Sequence, residues 1–263
     1  MKPVKASGLT DVTIWTEQLR EAAASAGFRT EAFAAVAGHP LLAMTKRVSG
    51  QRPRFYLSAG CHGDEPAGTA ALLRLLKNGF FDDRATWFLC PLLNPTGMET
   101  GTRENTQGID LNRDYLSPQT PEIQGHVGWL QRQPRFDLAL CLHEDWETSG
   151  FYVYELNTRG LPSQAGKIVA AVRQVCPIEL AELIDGRSGK DGIIRPVDDP
   201  LLRNQWPEAI YLRAHHTGLS YTTETPSARD LALRVEAQCR AIAAAVEAEL
   251  SIPKQCSAVP SGA

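Results

Sequence analysis

Residues 55–76 read FYLSAGCHGDEPAGTAALLRLL, and the order of residue types in this stretch decides the fold. Residues 55–59 form a short apolar run of the kind that becomes a buried strand. Gly60 and Gly63 flank a polar turn, Pro66 stands where a helix opens, and apolar residues recur at helical spacing through residues 67–76. The product is strand, tight loop, helix. His62 and Glu65 fall in the loop at the strand's carboxyl end, which is where α/β sheets build their sites.

Outward from this unit the alternation repeats. On the amino-terminal side, residues 13–26 carry a helical apolar pattern that closes at Gly27, and two short runs, 32–37 and 41–47, flank Gly38-His39-Pro40 as a hairpin. On the other side come a strand over 87–93, a helix over 121–131 with Pro121 in its first turn, and an apolar strand over 136–142. A strand over 151–156, a helix over 163–175 ended near Pro177, a strand over 219–223 and an Ala-rich amphipathic helix over 229–250 complete the pattern. Residues 185–206 are rich in Gly, Pro and charge, follow neither period, and read as a long functional loop. The expected fold class is α/β: a three-layer α/β/α sandwich around a mixed, mostly parallel central sheet. One domain over residues 1–263 is expected, with an N-terminal helix and hairpin in 1–50 and a polar tail in 251–263.

Composition narrows the function classes. Hydrophobic residues make up 43% and charged residues 22%, ordinary values for a globular chain able to bury a core. Lys and Arg number 27 against 30 Asp and Glu, a net charge of -3, so no nucleic-acid partner is expected. No window approaches the roughly 20 apolar residues of a membrane span. The stretch from Met1 to Trp15 has two lysines with no apolar run behind them, so no cleaved leader, no membrane partner and a cytoplasmic location are expected. The cysteines at 61, 90, 141, 176, 239 and 256 are scattered rather than paired at metal-ligand spacing, and read as reduced structural thiols.

The chemistry resides in polar residues at strand ends. The H-x-x-E pair His62 and Glu65 can turn an imidazole nitrogen and carboxylate oxygens onto one ion, although such a pair alone reads equally as a polar surface loop. C-L-H-E-D ends the apolar strand over 136–142, and His143 is the first polar residue after the buried run. With His62 and Glu65 it makes a His-Glu-His set with an open fourth position, the pattern of a catalytic zinc site binding one Zn2+ per chain.

A third stretch, NPTGMETGTRENTQGIDLNRDY over residues 94–115, crowds Arg103, Asp110, Asn112 and Arg113 together, and a fourth, LSYTTETP, ends a strand on Glu224. H-x-x-E, then R followed by D-x-N-R, then a strand-end His, then a strand-end Glu, in this order, resembles the zinc carboxypeptidase family often called M14. The resemblance runs over residues 55–226. It implies a zinc carboxypeptidase-like fold and a metallopeptidase that hydrolyses the C-terminal amide bond of a peptide, with Glu224 as general base toward a metal-activated water. Asn112 and Arg113 would bind the substrate's terminal carboxylate, Arg103 would steady the oxyanion, and Asp110 would orient His62. The chemistry agrees: a guanidinium pairs bidentately with a carboxylate, and a fixed cation aimed at developing charge lowers a barrier.

The chain departs from the digestive carboxypeptidases in lacking a tyrosine over residues 201–207, where they carry one on a mobile loop. Tyr211 is the nearest and reads as an ordinary strand aromatic. No specificity residue is legible over 199–214. Asp191, Arg195 and Arg203 read more simply as a solvated charge cluster than as pocket lining. Two related activities compete with the peptidase. The aspartoacylase and succinylglutamate desuccinylase type cleaves N-acyl amino acids with nearly the same ligands, but adds a β-rich domain where only 39 residues follow Glu224 here. The short murein-peptide amidases, which the G-T-R and G-I-D-L-N-R-D stretches resemble, cut γ-D-glutamyl-diaminopimelate bonds. All three take a substrate with a free carboxylate.

Overall fold

The computed structural model describes residues 11–252. The tail expected from residue 251 lies, from 253 onward, outside the described residues, as do the two N-terminal lysines and Cys256.

The chain opens with α1 (Val12–Ser25), capped by Asp11, whose carboxylate accepts the Thr13 and Ile14 amides at 2.9 and 3.2 Å. The expected hairpin follows as β1 (Arg29–Val36) and β2 (His39–Lys46), joined through Ala37 and Gly38. Then come β3 (Arg54–Ala59), α2 (Pro66–Lys77), β4 (Thr86–Cys90), α3 (Pro95–Thr100) and α4 (Pro121–Leu130). The second half holds β5 (Leu138–Asp145), β6 (Tyr152–Asn157), α5 (Ala165–Val172), β7 (Leu183–Ile184), β8 (Arg187–Lys190) and β9 (Ile193–Ile194). It ends on α6 (Glu208–His215), β10 (Leu219–Pro226) and α7 (Leu231–Leu250).

All ten strands join one sheet in the order β1-β2-β4-β3-β5-β10-β6-β9-β8-β7. Successive side chains in the central strands serve opposite faces, as the strand period of two requires. Phe55, Leu57 and Ala59 of β3, with Leu138, Leu140 and Leu142 of β5, pack under α1, α2, α5 and α7. Tyr56 of β3, with Ala139 and Cys141 of β5, packs under α4 and α6. The three-layer α/β/α expectation holds.

The expectation of a mostly parallel sheet holds only at its centre. Of the nine neighbouring pairings among the described residues, four are parallel: β4 with β3, β3 with β5, β5 with β10, and β6 with β9. The other five are antiparallel. Parallel neighbours need a long crossover, supplied by α2 between β3 and β4 and by a connection through α5 between β6 and β9, whereas β1–β2, β7–β8 and β8–β9 are joined by two-residue turns that reverse the chain. β2–β4 and β6–β10 are antiparallel without being consecutive in the chain.

Residues 185–206 are not a featureless loop. They contain β8, β9 and a single 3-10 turn (Pro200–Leu202), and are followed directly by α6. Tyr211 accordingly lies in a helix rather than a strand, buried under the sheet in contact with the α4 side of the core.

Candidate active site

His62, Glu65, His143 and Glu224 emerge near the carboxyl ends of the central parallel strands. β3 ends at Ala59, and the loop behind it carries His62 and Glu65. This loop lies so close to the start of α3 that a Cβ on Gly63 would sit 1.8 Å from the Gly97 carbonyl carbon, so only glycine permits the approach. The approach brings the 94–113 segment, with Arg103 and Asp110, onto the His62 loop.

Glu65 occupies the N-cap of α2 yet caps nothing. Its two oxygens face imidazoles instead, at 2.6 Å from His62 Nδ1 and 2.8 Å from His143 Nδ1. The two Nδ1 atoms stand 3.3 Å apart. All three residues are buried, and one donor atom of each lies within 4.8 Å of the others, the single such His/Cys/Asp/Glu group among the described residues. Two nitrogens each about 2.0–2.1 Å from one zinc in a tetrahedron are roughly 3.3 Å apart, so the donor set and its spacing fit that ion. On its other side, His62 Nε2 lies 3.1 Å from Asp110 Oδ1, which fixes the proton on Nε2 and leaves Nδ1 free to ligate.

Charge is arranged around this point. Burial pulls the His62 pKa down, but the Glu65 carboxylate and the Asp110 hydrogen bond outweigh it and raise it to about 9. At His143 burial wins over Glu65 and holds it below the ordinary histidine value. Burial works against the charge of Glu65, yet the two imidazoles hold its carboxyl well below the usual range. Arg103 is clamped by Asp110 Oδ2 at 3.0 Å and Glu65 Oε1 at 3.5 Å.

Glu224 extends from β10, whose register sets it beside His143 of β5, so both side chains emerge on one face of the sheet. It lines the same cavity of about 340 Å³ as the His-Glu-His cluster, Arg103, Asn112 and Arg113. Burial, with Glu65 and Asp145 adding, pushes its carboxyl well above the ordinary range. Asn112 Oδ1 accepts the Glu208 backbone N–H at 2.9 Å, which leaves the amide nitrogen as a donor toward the cavity. The Arg113 guanidinium donates to the Asn112 carbonyl at 2.8 Å and stands exposed at the cavity's rim.

Of the loop charges, Arg203 lines this cavity. Arg195 instead binds Glu155 at 2.7 Å, and Asp191 sits in the left-handed region (φ 54°) at the turn between β8 and β9. Cys61 and Cys141 are buried among apolar side chains, and burial pushes both thiols up.

Several supporting residues carry no local sequence signal. Glu144, next to His143, caps α2 by accepting the Ala67 N–H at 2.7 Å and forms a short buried ion pair with Arg234. Its own N–H donates to Glu65 Oε2 at 3.0 Å. Gln238 donates to the His143 carbonyl and accepts from the Thr223 hydroxyl, at 2.8 and 2.7 Å. Arg234 and Gln238 lie four apart on the buried face of α7, and a polar pair on an apolar stripe is the one trace of this role in the sequence.

Residues 51–174 match the family model described as the succinylglutamate desuccinylase/aspartoacylase catalytic domain. Carboxypeptidase SOL1 of Arabidopsis thaliana is 32% identical over 113 residues, which span 35% of this chain and 23% of that protein. Carboxypeptidase E of Caenorhabditis elegans is 32% identical over 120 residues, 36% of this chain and 24% of that one. The chain thus spans about a quarter of the length of the curated relatives it matches. Among solved structures, a candidate metallopeptidase of Shewanella amazonensis superposes with a TM-score of 0.81 at 25% identity, covering 91% of this chain and 93% of that one. A metallo-carboxypeptidase of Pseudomonas aeruginosa shares the fold at a TM-score of 0.63 and 20% identity, over 89% of this chain and 68% of its own.

Proposed function

We propose that this chain, which belongs to the M14-like metallocarboxypeptidase family, is a zinc-dependent hydrolase that cleaves the amide bond next to a free carboxylate, with peptide C-termini as substrates. The observation that carries this reading is the convergence of His62 Nδ1, His143 Nδ1 and both Glu65 oxygens on one buried point. Zinc held there would supply Lewis acidity toward a water molecule and toward the scissile carbonyl.

The chain's own residues do the rest. Glu224 takes the proton of the attacking water and returns it to the leaving amine nitrogen. Arg103, already fixed by two carboxylates, presents a positive charge that needs no reorganisation as the carbonyl oxygen becomes negative. Asn112 and Arg113 hold the substrate's carboxylate by charge-assisted hydrogen bonds and so choose the terminal amide. Asp110 serves twice, orienting His62 with one oxygen and Arg103 with the other. The match of residues 51–174 favours a second reading, deacylation of N-acyl amino acids, in which the same clamp and the same proton transfers act on a different acyl group.

The test begins with metal analysis of the purified chain, which should hold about one zinc through three protein ligands. The zinc-loaded protein is then offered dipeptides, a muramyl tripeptide and N-acyl amino acids, each with its carboxyl-amidated twin. Amidation removes a charge-assisted pair and should cost about 1.5–3 kcal/mol, roughly tenfold to a hundredfold in kcat/KM. Glu224→Gln should keep the metal and lower kcat by roughly a hundredfold or more. Amidated substrates cut as well as free acids would remove the carboxylate clamp, and the relative kcat/KM of peptides and N-acyl amino acids decides between the two readings.

A further inference from the structure

α6 begins next to Asn112, and its first residue carries a carboxylate that the proposed reaction does not use. Glu208 is only 1% exposed. Pro207, Ala209 and Ile210 line the site cavity, but the Glu208 side chain between them turns instead to β3. There its Oε1 accepts the Tyr56 hydroxyl at 2.6 Å and its Oε2 accepts the Ser58 hydroxyl at 2.8 Å. The groups facing it are these two hydroxyls and the Cys141 thiol, none of them a cation. Taking a carboxylate out of water without a cation beside it is unfavourable, and a leucine here would join the apolar cluster around Tyr56 and Cys141 without that cost. What the carboxylate supplies is direction, because two short charge-assisted hydrogen bonds fix where α6 starts.

That start matters to the site. α6 has eight residues, its N-cap is Pro207 and no side chain caps it, so the amides of its first turn find their partners outside the helix. The Glu208 N–H donates to Asn112 Oδ1 at 2.9 Å. A side-chain amide has one acceptor end and one donor end, so the partner at Oδ1 decides that the cavity meets the nitrogen. The residues after Asn112 are stitched to the same place. The Tyr115 N–H donates to the Trp206 carbonyl at 3.2 Å, and the Tyr115 hydroxyl stands 2.9 Å from His126 Nδ1, whose Nε2 is 2.9 Å from the Tyr56 hydroxyl. These contacts close a ring: Asn112 to the Glu208 N–H, the Glu208 carboxylate to Tyr56, then His126 and Tyr115, and back along the chain to Asn112. We propose that Glu208 is a positioning residue for substrate binding, setting the start of α6 so that Asn112 presents its NH2, and not its oxygen, to the substrate's free carboxylate. With that N–H displaced, the amide is free to turn about its Cβ–Cγ bond and set an oxygen against the carboxylate, a repulsion in place of a hydrogen bond. This rests on the hydrolase reading and on Asn112 and Arg113 holding the carboxylate.

The experiment uses the zinc-loaded full chain and one dipeptide with its carboxyl-amidated twin. Both kcat and KM are measured for wild type, Glu208→Leu, Glu208→Gln, Tyr56→Phe, Asn112→Ala and the double variant of Glu208→Leu with Asn112→Ala, and zinc content shows that the metal site is intact in each. Glu208→Leu should raise KM for the free acid by roughly tenfold, keep kcat within about threefold, and leave the amidated twin nearly unaffected. Glu208→Gln should restore most of the loss, because its oxygen accepts from Tyr56 and its nitrogen donates to Ser58. In the Asn112→Ala background, Glu208→Leu should lower the preference for the free acid no further, since the group it positions is gone. A merely structural role predicts the same fall on both substrates and in both backgrounds. If Glu208→Leu does not fold, Tyr56→Phe, which removes one of the two bonds to the carboxylate, should shift the acid-to-amide ratio in the same direction by roughly threefold. A ratio unchanged in the folded variants, or a fall that persists without Asn112, overturns this inference and leaves the hydrolase standing. Wild type that cuts acid and amide equally removes the carboxylate clamp, wild type that cuts neither removes the hydrolase reading, and this inference falls with either.

Discussion

His126 shows how a single buried side chain is specified by its partners. Tyr56 donates to Glu208 Oε1 at 2.6 Å and stands 2.9 Å from His126 Nε2, while Tyr115 stands 2.9 Å from His126 Nδ1. The consistent assignment is a one-way chain: Tyr115 donates to Nδ1, Nε2–H donates to Tyr56, and Tyr56 donates to Glu208. It requires a neutral ring. Burial, with His216 adding, holds the His126 pKa down to about 3 against an ordinary 6.5. Between those values the unfolded chain takes up a proton that the folded chain refuses, so this residue's contribution is present above 6.5 and is lost as pH falls toward 3. Glu208, pushed up to about 7 by burial, contributes in the opposite direction between 4.5 and 7, so the whole unfolding profile mixes the two. The ring itself is the clean readout: an NMR titration should find His126 neutral at pH 5, and an imidazolium there would refute the assignment. The same contrast explains which site residues were legible. His62, Glu65, His143 and Glu224 are polar residues just past apolar runs, a local signal. Glu144, Arg234 and Glu208 act through partners 77 to 152 positions away, which no window of sequence contains.

At the scale of elements, legibility followed length. The helix expected over 67–76 is observed as Pro66–Lys77 and the one over 229–250 as Leu231–Leu250, because several turns of one apolar face make an unambiguous period. β7, β8 and β9 have two to four residues each and present no period at all. α6 was missed because its eight residues, EAIYLRAH, mix charge and histidine with a weak apolar stripe, and its buried Glu208 faces the core. Turn chemistry was only half legible in the β1–β2 hairpin. The two central residues, Ala37 and Gly38, both have positive φ, at 50° and 84°. A two-residue turn of this kind matches the strand twist, and glycine suits its second position, but alanine pays a steric cost at its first that asparagine largely avoids. Ala37→Asn should therefore raise stability by up to about 1 kcal/mol, read as a shift in urea midpoint at constant slope. A variant that unfolds at or below the wild-type midpoint would show that the turn stores no such strain.

At the scale of the molecule, the site fastens together segments that are far apart in the chain. The ligand loop after β3 and the end of β5 supply the three candidate ligands, the 94–113 segment supplies Arg103 and Asp110, β10 supplies Glu224, and α7 braces β5 from behind through Arg234 and Gln238. The Glu65–His143, His62–Asp110, Arg103–Glu65, Glu144–Arg234 and Gln238–His143 contacts each join different segments, so a metal ion held by His62, Glu65 and His143 would tie the loop after β3 to β5 at the middle of the sheet. The folded chain holds the three ligands preassembled, and the unfolded chain scatters them. Binding to the folded state alone stabilises it by about 2.7 kcal/mol when free metal is a hundred times its Kd. For a chain of this size each kcal/mol shifts Tm by about 2–4 °C, which predicts a rise of roughly 5–11 °C. Chelation should lower the melting temperature by that amount, zinc should restore it, and His143→Ala should melt at one temperature with or without zinc. The variant separates this site from adventitious binding elsewhere, since surface carboxylates would stabilise wild type and variant alike. If chelated and zinc-supplemented wild type melt together, the cluster of His62, Glu65 and His143 is a hydrogen-bonded group and not a metal site.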